Sequence, residues 1–344
     1  MDTLTIESNV TLLERLNHGS VICAEGYLFE LERRGYLDPT AFVPEVLLDH
    51  PEAVAQLHRE FVHAGSDVVE AFTYYAHREK LRGVGREDDL ERMNRAALAI
   101  AGEVARETRT LLAGNICNTN VFVDDRETRM AVRAMFAEQV AWALEAEVDF
   151  VIAETFIWVE EALLALEVIK DGGGPAVVTL AILRNGTTGE GWQPEEACRR
   201  LEAAGADVVG LNCIRGPDTM LPLLESVRAA VGCHVAALPV PYRTDAAHPT
   251  FQSFRVRNGA ATTNPFPAAL EPFACTRYDV AEFTRQASDL GVRYLGLCCG
   301  GAPHHVRSMA EALGRTPPAS RYTFDPTAPR ASRDTRSDLY DDPR

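Results

Sequence analysis

Cys213 closes the apolar run ADVVGLNC, and Cys298 and Cys299 close the run VRYLGLCCG. If both runs are strands of one parallel barrel, their C-terminal ends converge on a common mouth and the three thiols can meet there. Soft thiolates in tetrahedral geometry suit zinc, and three protein ligands leave a fourth position open, as catalytic sites do. A free thiol is mostly protonated at neutral pH, whereas coordination lowers its pKa and keeps it a thiolate. Three cysteine thiolates make such a centre negative, which weakens its Lewis acidity and keeps a further, substrate sulfur electron-rich. That chemistry fits alkylation of a substrate thiol better than hydrolysis. Cysteine is also a common buried residue that packs as a small hydrophobe. The paired N-C and C-C strand ends, each near glycine, favour the ligand reading, although spacing alone leaves structural and catalytic zinc both open.

The elements that must position these thiols are legible as eight short apolar runs: SVICAEGYLF, SDVVEAFTYY, LLAGNICNT, VDFVIAETF, AVVTLAIL, ADVVGLNC, CHVAALPV and VRYLGLCCG. Most are continuous rather than alternating, as parallel strands covered on both faces are. Helical patterns lie between them. Pro51 opens one, with Val54, Leu57 and Phe61 on a single face and Gly65 as its stop; Pro194 and Gly205 bracket another. Eight strand–helix units predict a (β/α)8 TIM barrel over residues 1–314. An open doubly wound sheet is the rival, and no G-x-G-x-x-G follows the first run to support it. The Pro-, Asn- and Thr-rich stretch from Tyr242 to Cys275 is a long loop expected on the active face. Residues 315–344 are polar and proline-rich and are expected to form a flexible tail or a docking arm.

Composition excludes several function classes. The formal net charge of the 344-residue chain is −16, which opposes a nucleic-acid or anionic-membrane surface. No stretch reaches the roughly 18 apolar residues of a membrane span, and the first residues do not form a secretory signal. The eight cysteines are expected to be reduced, in a cytoplasmic protein.

Several segments together resemble the homocysteine S-methyltransferase family, and within it the betaine-using branch. GLNC (210–213) and GLCCGGAPHHVR (296–307) are similar to its paired zinc-ligand motifs; LERRGY, HPEAVAQLHREFVHAGSDV, FTYYA, FVIAETF, LEP and LGVRYLG extend the likeness from about Leu16 to Leu313. The resemblance implies a barrel enzyme that moves a methyl group from an onium donor to the thiol of homocysteine, giving methionine. It implies Cys213, Cys298 and Cys299 as zinc ligands and Glu154 as a carboxylate for the acceptor's ammonium. It implies Tyr75 as a catalytic residue near donor and metal, and Phe42, which replaces a family tryptophan, as a second aromatic wall for the donor cation.

The chain departs from the family at the first strand. Ala24 stands at the position read as the family's homocysteine-contacting aspartate, with Glu25 beside it, and Ser20 stands where the betaine enzymes carry a glutamate. Glu25 is therefore the candidate replacement for the missing carboxylate. His304 and His305 follow the cysteine pair but read as the start of a helix. Cys23, at the end of the first strand, is left outside the ligand set. The expected partners are a small-molecule thiol and a methyl donor, with a homo-oligomer left open. A different thiol acceptor, a sulfonium donor and a non-catalytic zinc-binding barrel are the competing readings.

Overall fold

The computed structural model describes residues 10–258 and 261–323. The eight apolar runs form eight parallel strands: β1 (Val21–Ala24), β2 (Val68–Glu70), β3 (Leu111–Cys117), β4 (Phe150–Phe156), β5 (Ala176–Leu180), β6 (Val208–Asn212), β7 (His234–Leu238) and β10 (Tyr294–Leu297). They close in the order β1-β10-β7-β6-β5-β4-β3-β2, and the Cys23–Val68 pairing of β1 with β2 seals the ring. The chain is therefore the expected (β/α)8 barrel. A short hairpin, β8 (Val256–Asn258) and β9 (Ala261–Thr263), interrupts the strand order inside the long loop after β7.

Two sequence signals for helices reappear at the residues that carry them. Helix Pro51–Ala64 begins on its proline and ends at Gly65, whose φ of 115° only glycine adopts readily. Helix Pro194–Ala203 likewise starts on proline, with Gly205 at φ 99° just beyond it. The first two runs are shorter as strands than as apolar stretches. SVICAEGYLF is a strand only to Ala24 and turns helical at Tyr27, and SDVVEAFTYY is a strand only from Val68 to Glu70. A continuous apolar run does not say where a strand yields to the buried loop or helix that follows it.

Strand periodicity sorts side chains into two layers. Val21, Cys23, Val68, Leu111, Ala113, Phe150, Ile152, Val208, Leu238 and Tyr294 fill the barrel interior, with Leu12 and Leu16 of the preceding helix packed against them. Ile22, Ala24, Val69, Leu112, Ile116, Val151, Ala153, Val209 and Leu211 face the surrounding helices. The same alternation, carried on toward the C-terminal end of each strand, turns Glu25, Glu70, Asn115, Glu154, Asn212 and Cys298 inward. The barrel thus has an apolar floor and a polar layer at its mouth.

The long loop after β7 packs by aromatic contacts on that side. Phe251 stacks on Tyr242 at 5.8 Å and approaches Phe29 at 6.1 Å, and its N–H donates to the Ile214 carbonyl at 2.8 Å. The first residues of the expected tail lie along the barrel: Pro318–Tyr322 form a 3-10 turn, and Arg315 pairs with Asp67 at 2.6 Å. Residues 324–344 lie outside the described residues. No helix among the described residues is long and apolar enough to cross a membrane.

Candidate active site

The three cysteines of the two strand-end motifs come together. Cys213 Sγ lies 3.7 Å from Cys299 Sγ, Cys298 Sγ lies 3.9 Å from Cys299 Sγ, and all three sulfurs fall within 4.8 Å of one another. A tetrahedral centre with metal–sulfur bonds of about 2.3 Å separates its sulfurs by about 3.8 Å. The donor set and its spacing therefore fit a zinc-type ion. β7 provides the clamp between the two motifs, since the Leu238 carbonyl accepts from Cys213 N–H at 2.9 Å and the Pro239 carbonyl accepts from Cys298 N–H at 3.1 Å.

The backbone around the first ligand is strained. Cys213 and Ile214 follow one another at φ 58° and 40°, a region that is a true outlier for a β-branched residue. Neighbouring loops hold the turn: Arg215 Nε donates to the Ile182 carbonyl at 2.9 Å, and Gly216 N–H donates to Thr244 Oγ1 at 3.0 Å. Hydrogen bonds from Cys298 and Cys299 hold the Cys213 thiol well below the usual thiol range, and sharing their protons with Cys213 pushes those two well above it. The trio readily carries one negative charge, and a bound cation favours removal of the remaining protons.

A buried carboxylate layer adjoins the thiols. Asn115 Nδ2 donates to Glu154 Oε1 at 2.7 Å and to Glu70 Oε1 at 2.5 Å, so one amide ties two carboxylates together. Glu154 Oε2 accepts from Asn212 Nδ2 at 2.8 Å and from Thr155 Oγ1 at 3.1 Å. Thr155 reaches that oxygen because β4 bulges there, with Thr155 itself at φ 63°. Glu25 completes the layer: its carboxylate, that of Glu154 and Cys298 Sγ lie within 4.8 Å of one another. Burial raises Glu154 to about 7, against the lowering effect of Asn115. Burial, reinforced by the charge on Glu154, pushes both Glu25 and Glu70 well above the ordinary carboxylate range. A cavity of ≈ 20 Å³ opens between Glu25, Glu70, Glu154, Tyr74, Cys298 and Cys299.

The geometry of β1 revises the expectation for Ala24. Ala24 faces the helix layer and is 1% exposed, whereas Glu25 takes the inward position. The inward carboxylate position on this strand is residue 25. Gly26 lets that loop press on the cysteine loop, because a Cβ there would collide with the Gly301 carbonyl. Ser20 precedes β1 at the opposite end of the barrel, where its carbonyl accepts from Arg315. Cys23 points into the floor and groups with Glu25 and Glu70 rather than with the other thiols. His305 caps the helix Pro303–Ala312, with Nδ1 accepting from Ala302 N–H at 3.3 Å.

Phe42 and Tyr75 belong to separate aromatic groups. Phe42 stacks on Phe29 at 5.8 Å and meets Phe266 at 6.5 Å. Tyr75 sits against Tyr74 at 4.3 Å, and its N–H donates to Cys117 Sγ at 3.3 Å. Lys80 Nζ already lies 3.9 Å from the centre of the Tyr75 ring. Burial pushes the Tyr75 phenol up to about 12, so it is neutral at ordinary pH. Tyr74, its neighbour, lines the cavity beside the thiols together with Tyr27, and Tyr75 does not. Sequence reasoning overlooked Tyr74, Glu70, Asn115 and Asn212. The last three lie on the inward register of their strands, a register that continuous apolar runs do not display.

The model of the family described as homocysteine S-methyltransferase matches residues 22–313. The chain belongs to the homocysteine S-methyltransferase family. It is 40% identical over 323 residues to betaine–homocysteine S-methyltransferase 1 of Xenopus tropicalis, covering 90% of this chain and 78% of that protein. It is 37% identical over 320 residues to the S-methylmethionine–homocysteine S-methyltransferase of Rattus norvegicus, covering 90% and 84%. Among solved structures, the metallated form of the homocysteine methyltransferase MmuM from Escherichia coli shares the fold, with a TM-score of 0.66 at 17% identity over 85% of this chain and 96% of that one. Family membership makes this homocysteine S-methyltransferase-type barrel an enzyme, a methyltransferase that alkylates sulfur.

Proposed function

We propose that this enzyme transfers a methyl group from an onium donor to the thiol of homocysteine, giving methionine, with zinc held by Cys213, Cys298 and Cys299. The observation that carries this reading is the adjacency of the three sulfurs, 3.7 and 3.9 Å apart, to a carboxylate-lined cavity. Zinc, when bound, lowers the pKa of the acceptor thiol and keeps it as a thiolate.

The chain's own residues supply recognition and alignment. Glu25 and Glu154 face the space beside the thiols and suit the acceptor's ammonium, an interaction that a low-dielectric site strengthens. Asn115, Asn212 and Thr155 fix the Glu154 carboxylate so that the ammonium meets a preset acceptor. Phe42 and Tyr75 are proposed as aromatic walls toward the donor cation, with Tyr75 near the reacting groups. In the transfer, a bond forms between the acceptor sulfur and the methyl carbon as the donor's carbon–nitrogen or carbon–sulfur bond breaks. The bonding pair stays with the departing amine or sulfide, which leaves neutral.

The donor is proposed only as an onium, because the chain is about equally similar to betaine-using and S-methylmethionine-using relatives. Eight free cysteines, in a protein whose chemistry needs reduced thiols, suit the cytoplasm. Assays of methyl transfer to homocysteine with betaine and with S-methylmethionine test the proposal. Methionine formed from at least one of them supports it; none from either, by zinc-loaded enzyme, contradicts it.

A further inference from the structure

Two of the segments that carry the sequence resemblance, LERRGY (31–36) and LEP (270–272), contain none of the residues assigned to the site. Both lead to the turn that follows the cysteine pair. Arg33, the last residue of helix Tyr27–Arg33, holds two acceptors at once: Nη1 donates to the Gly300 carbonyl at 3.3 Å and Nη2 donates to Tyr242 Oη at 3.0 Å. Glu271 of the second segment lies 3.7 Å from Arg33 Nε, an exposed contact that contributes little on its own. Gly300 directly follows Cys299 and turns at φ 92°, and a Cβ there would lie 2.5 Å from Tyr242 Oη. The glycine thus admits the phenol against the cysteine turn.

Tyr242 reaches the other cysteine loop as well. Its carbonyl presses on Gly216, three residues after Cys213, so closely that any Cβ would collide with it. Its ring stacks on Phe251, whose N–H donates to the Ile214 carbonyl. Tyr242 is 1% exposed, and a buried hydroxyl is costly without a partner, which Arg33 supplies.

We infer that Arg33 and Tyr242 are positioning residues for the metal ligands. Arg33 locks the Gly300 carbonyl and the Tyr242 hydroxyl in one fork, and Tyr242 carries that constraint across to the Cys213 loop. This rests on the proposed ligand set of Cys213, Cys298 and Cys299 and adds what braces it. The pair acts through the backbone of the two loops and not by ligation. Cys213 and Ile214, at φ 58° and 40°, form a strained turn that needs such a brace. Contacts that orient ligands from outside govern metal affinity by about 10- to 100-fold. A lysine ammonium does not reproduce the planar fork, so the role requires Arg at position 33.

Zinc affinity measured by competition with a chromophoric chelator, together with the visible spectrum of the cobalt-substituted enzyme, tests the inference. Tyr242→Phe keeps the ring stack and removes only the hydroxyl. It should raise the zinc Kd by about 10-fold and shift the cobalt bands, and Arg33→Lys should do the same. Tyr242→Phe added to Arg33→Met should cost less than about twofold more than Arg33→Met alone, because the fork is already broken. A zinc Kd within about twofold of wild type in both Tyr242→Phe and Arg33→Lys overturns the inference. If the zinc-free variants also unfold at lower temperature, that result makes the pair a packing contact only. Fully additive losses in the double variant overturn the shared fork. Wild type that takes up no zinc overturns the ligand reading along with the inference; wild type that binds zinc tightly, with variants that match it, overturns the inference alone.

Discussion

Cys213 and Cys299 hold their sulfurs 3.7 Å apart from opposite sides of β7, although they are 86 residues apart in the chain. β6 and β10 flank β7 in the parallel ring, and carbonyls at the end of β7 fix the backbone of both cysteine loops. The predictions below follow from that mouth and from the layers beneath it.

Purified enzyme should contain about one zinc per chain, as a single three-thiolate site implies. Changing Cys213, Cys298 or Cys299 to Ala should remove it. A Cys298→Ala enzyme that retains full zinc in metal analysis contradicts the ligand assignment.

Glu25→Gln should raise the homocysteine KM with zinc content unchanged, because truncating one partner of a buried charge pair costs about 2–5 kcal/mol. Adding Ala24→Asp should not rescue it. Ala24 packs toward the helices at 1% exposure, so an aspartate there buries an unpaired charge and should lower stability by about 3–5 kcal/mol. Steady-state kinetics and denaturant unfolding of the single and double variants read both effects.

Phe42→Leu should weaken binding of an onium donor by about 0.5–2 kcal/mol, and Phe42→Trp should preserve or improve it. Lys80 Nζ lies over one face of Tyr75, and Phe29 stacks on one face of Phe42. Equal donor affinities across wild type and both variants would show that Phe42 serves only its stack on Phe29.

His58 is 1% exposed, and both its ring nitrogens lack partners. Burial lowers its pKa from 6.5 to about 3 in the folded state. Between those values the unfolded chain binds a proton that the folded one refuses, so stability falls as pH drops from about 6.5 toward 3. At pH 5 this one residue should account for about 2 kcal/mol of the loss. Unfolding curves of His58→Phe should therefore decline less between pH 7 and pH 5 than those of wild type.

The barrel was legible because eight apolar runs alternate with capped helices, and the thiols because each motif ends its run. Glu25 was legible only as a neighbour of Ala24. Its inward direction comes from the period-two register of Val21, Cys23 and Glu25, which an apolar run on both faces hides. Glu70 was overlooked for a related reason: it sits inside SDVVEAFTYY, most of which is loop rather than strand, so the strand's true end at Glu70 could not be seen. Asn115 and Asn212 carry no distinctive motif, and their roles depend on which carboxylates the closed ring brings opposite them. Phe42 packs with Phe29 and with Phe266 of the loop after β7, whereas Tyr75 packs with Tyr74, and no local pattern specifies either grouping.

The most direct test of zinc-supported thiol methylation is the fate of a deuterated methyl group. Enzyme given homocysteine and methyl-deuterated betaine or S-methylmethionine should yield methionine carrying the intact deuterated methyl by mass spectrometry. The product should vanish when a chelator strips the metal and return when zinc is restored. Labelled methionine formed undiminished by the stripped enzyme, or none formed from either donor by the zinc-loaded enzyme, would contradict the account.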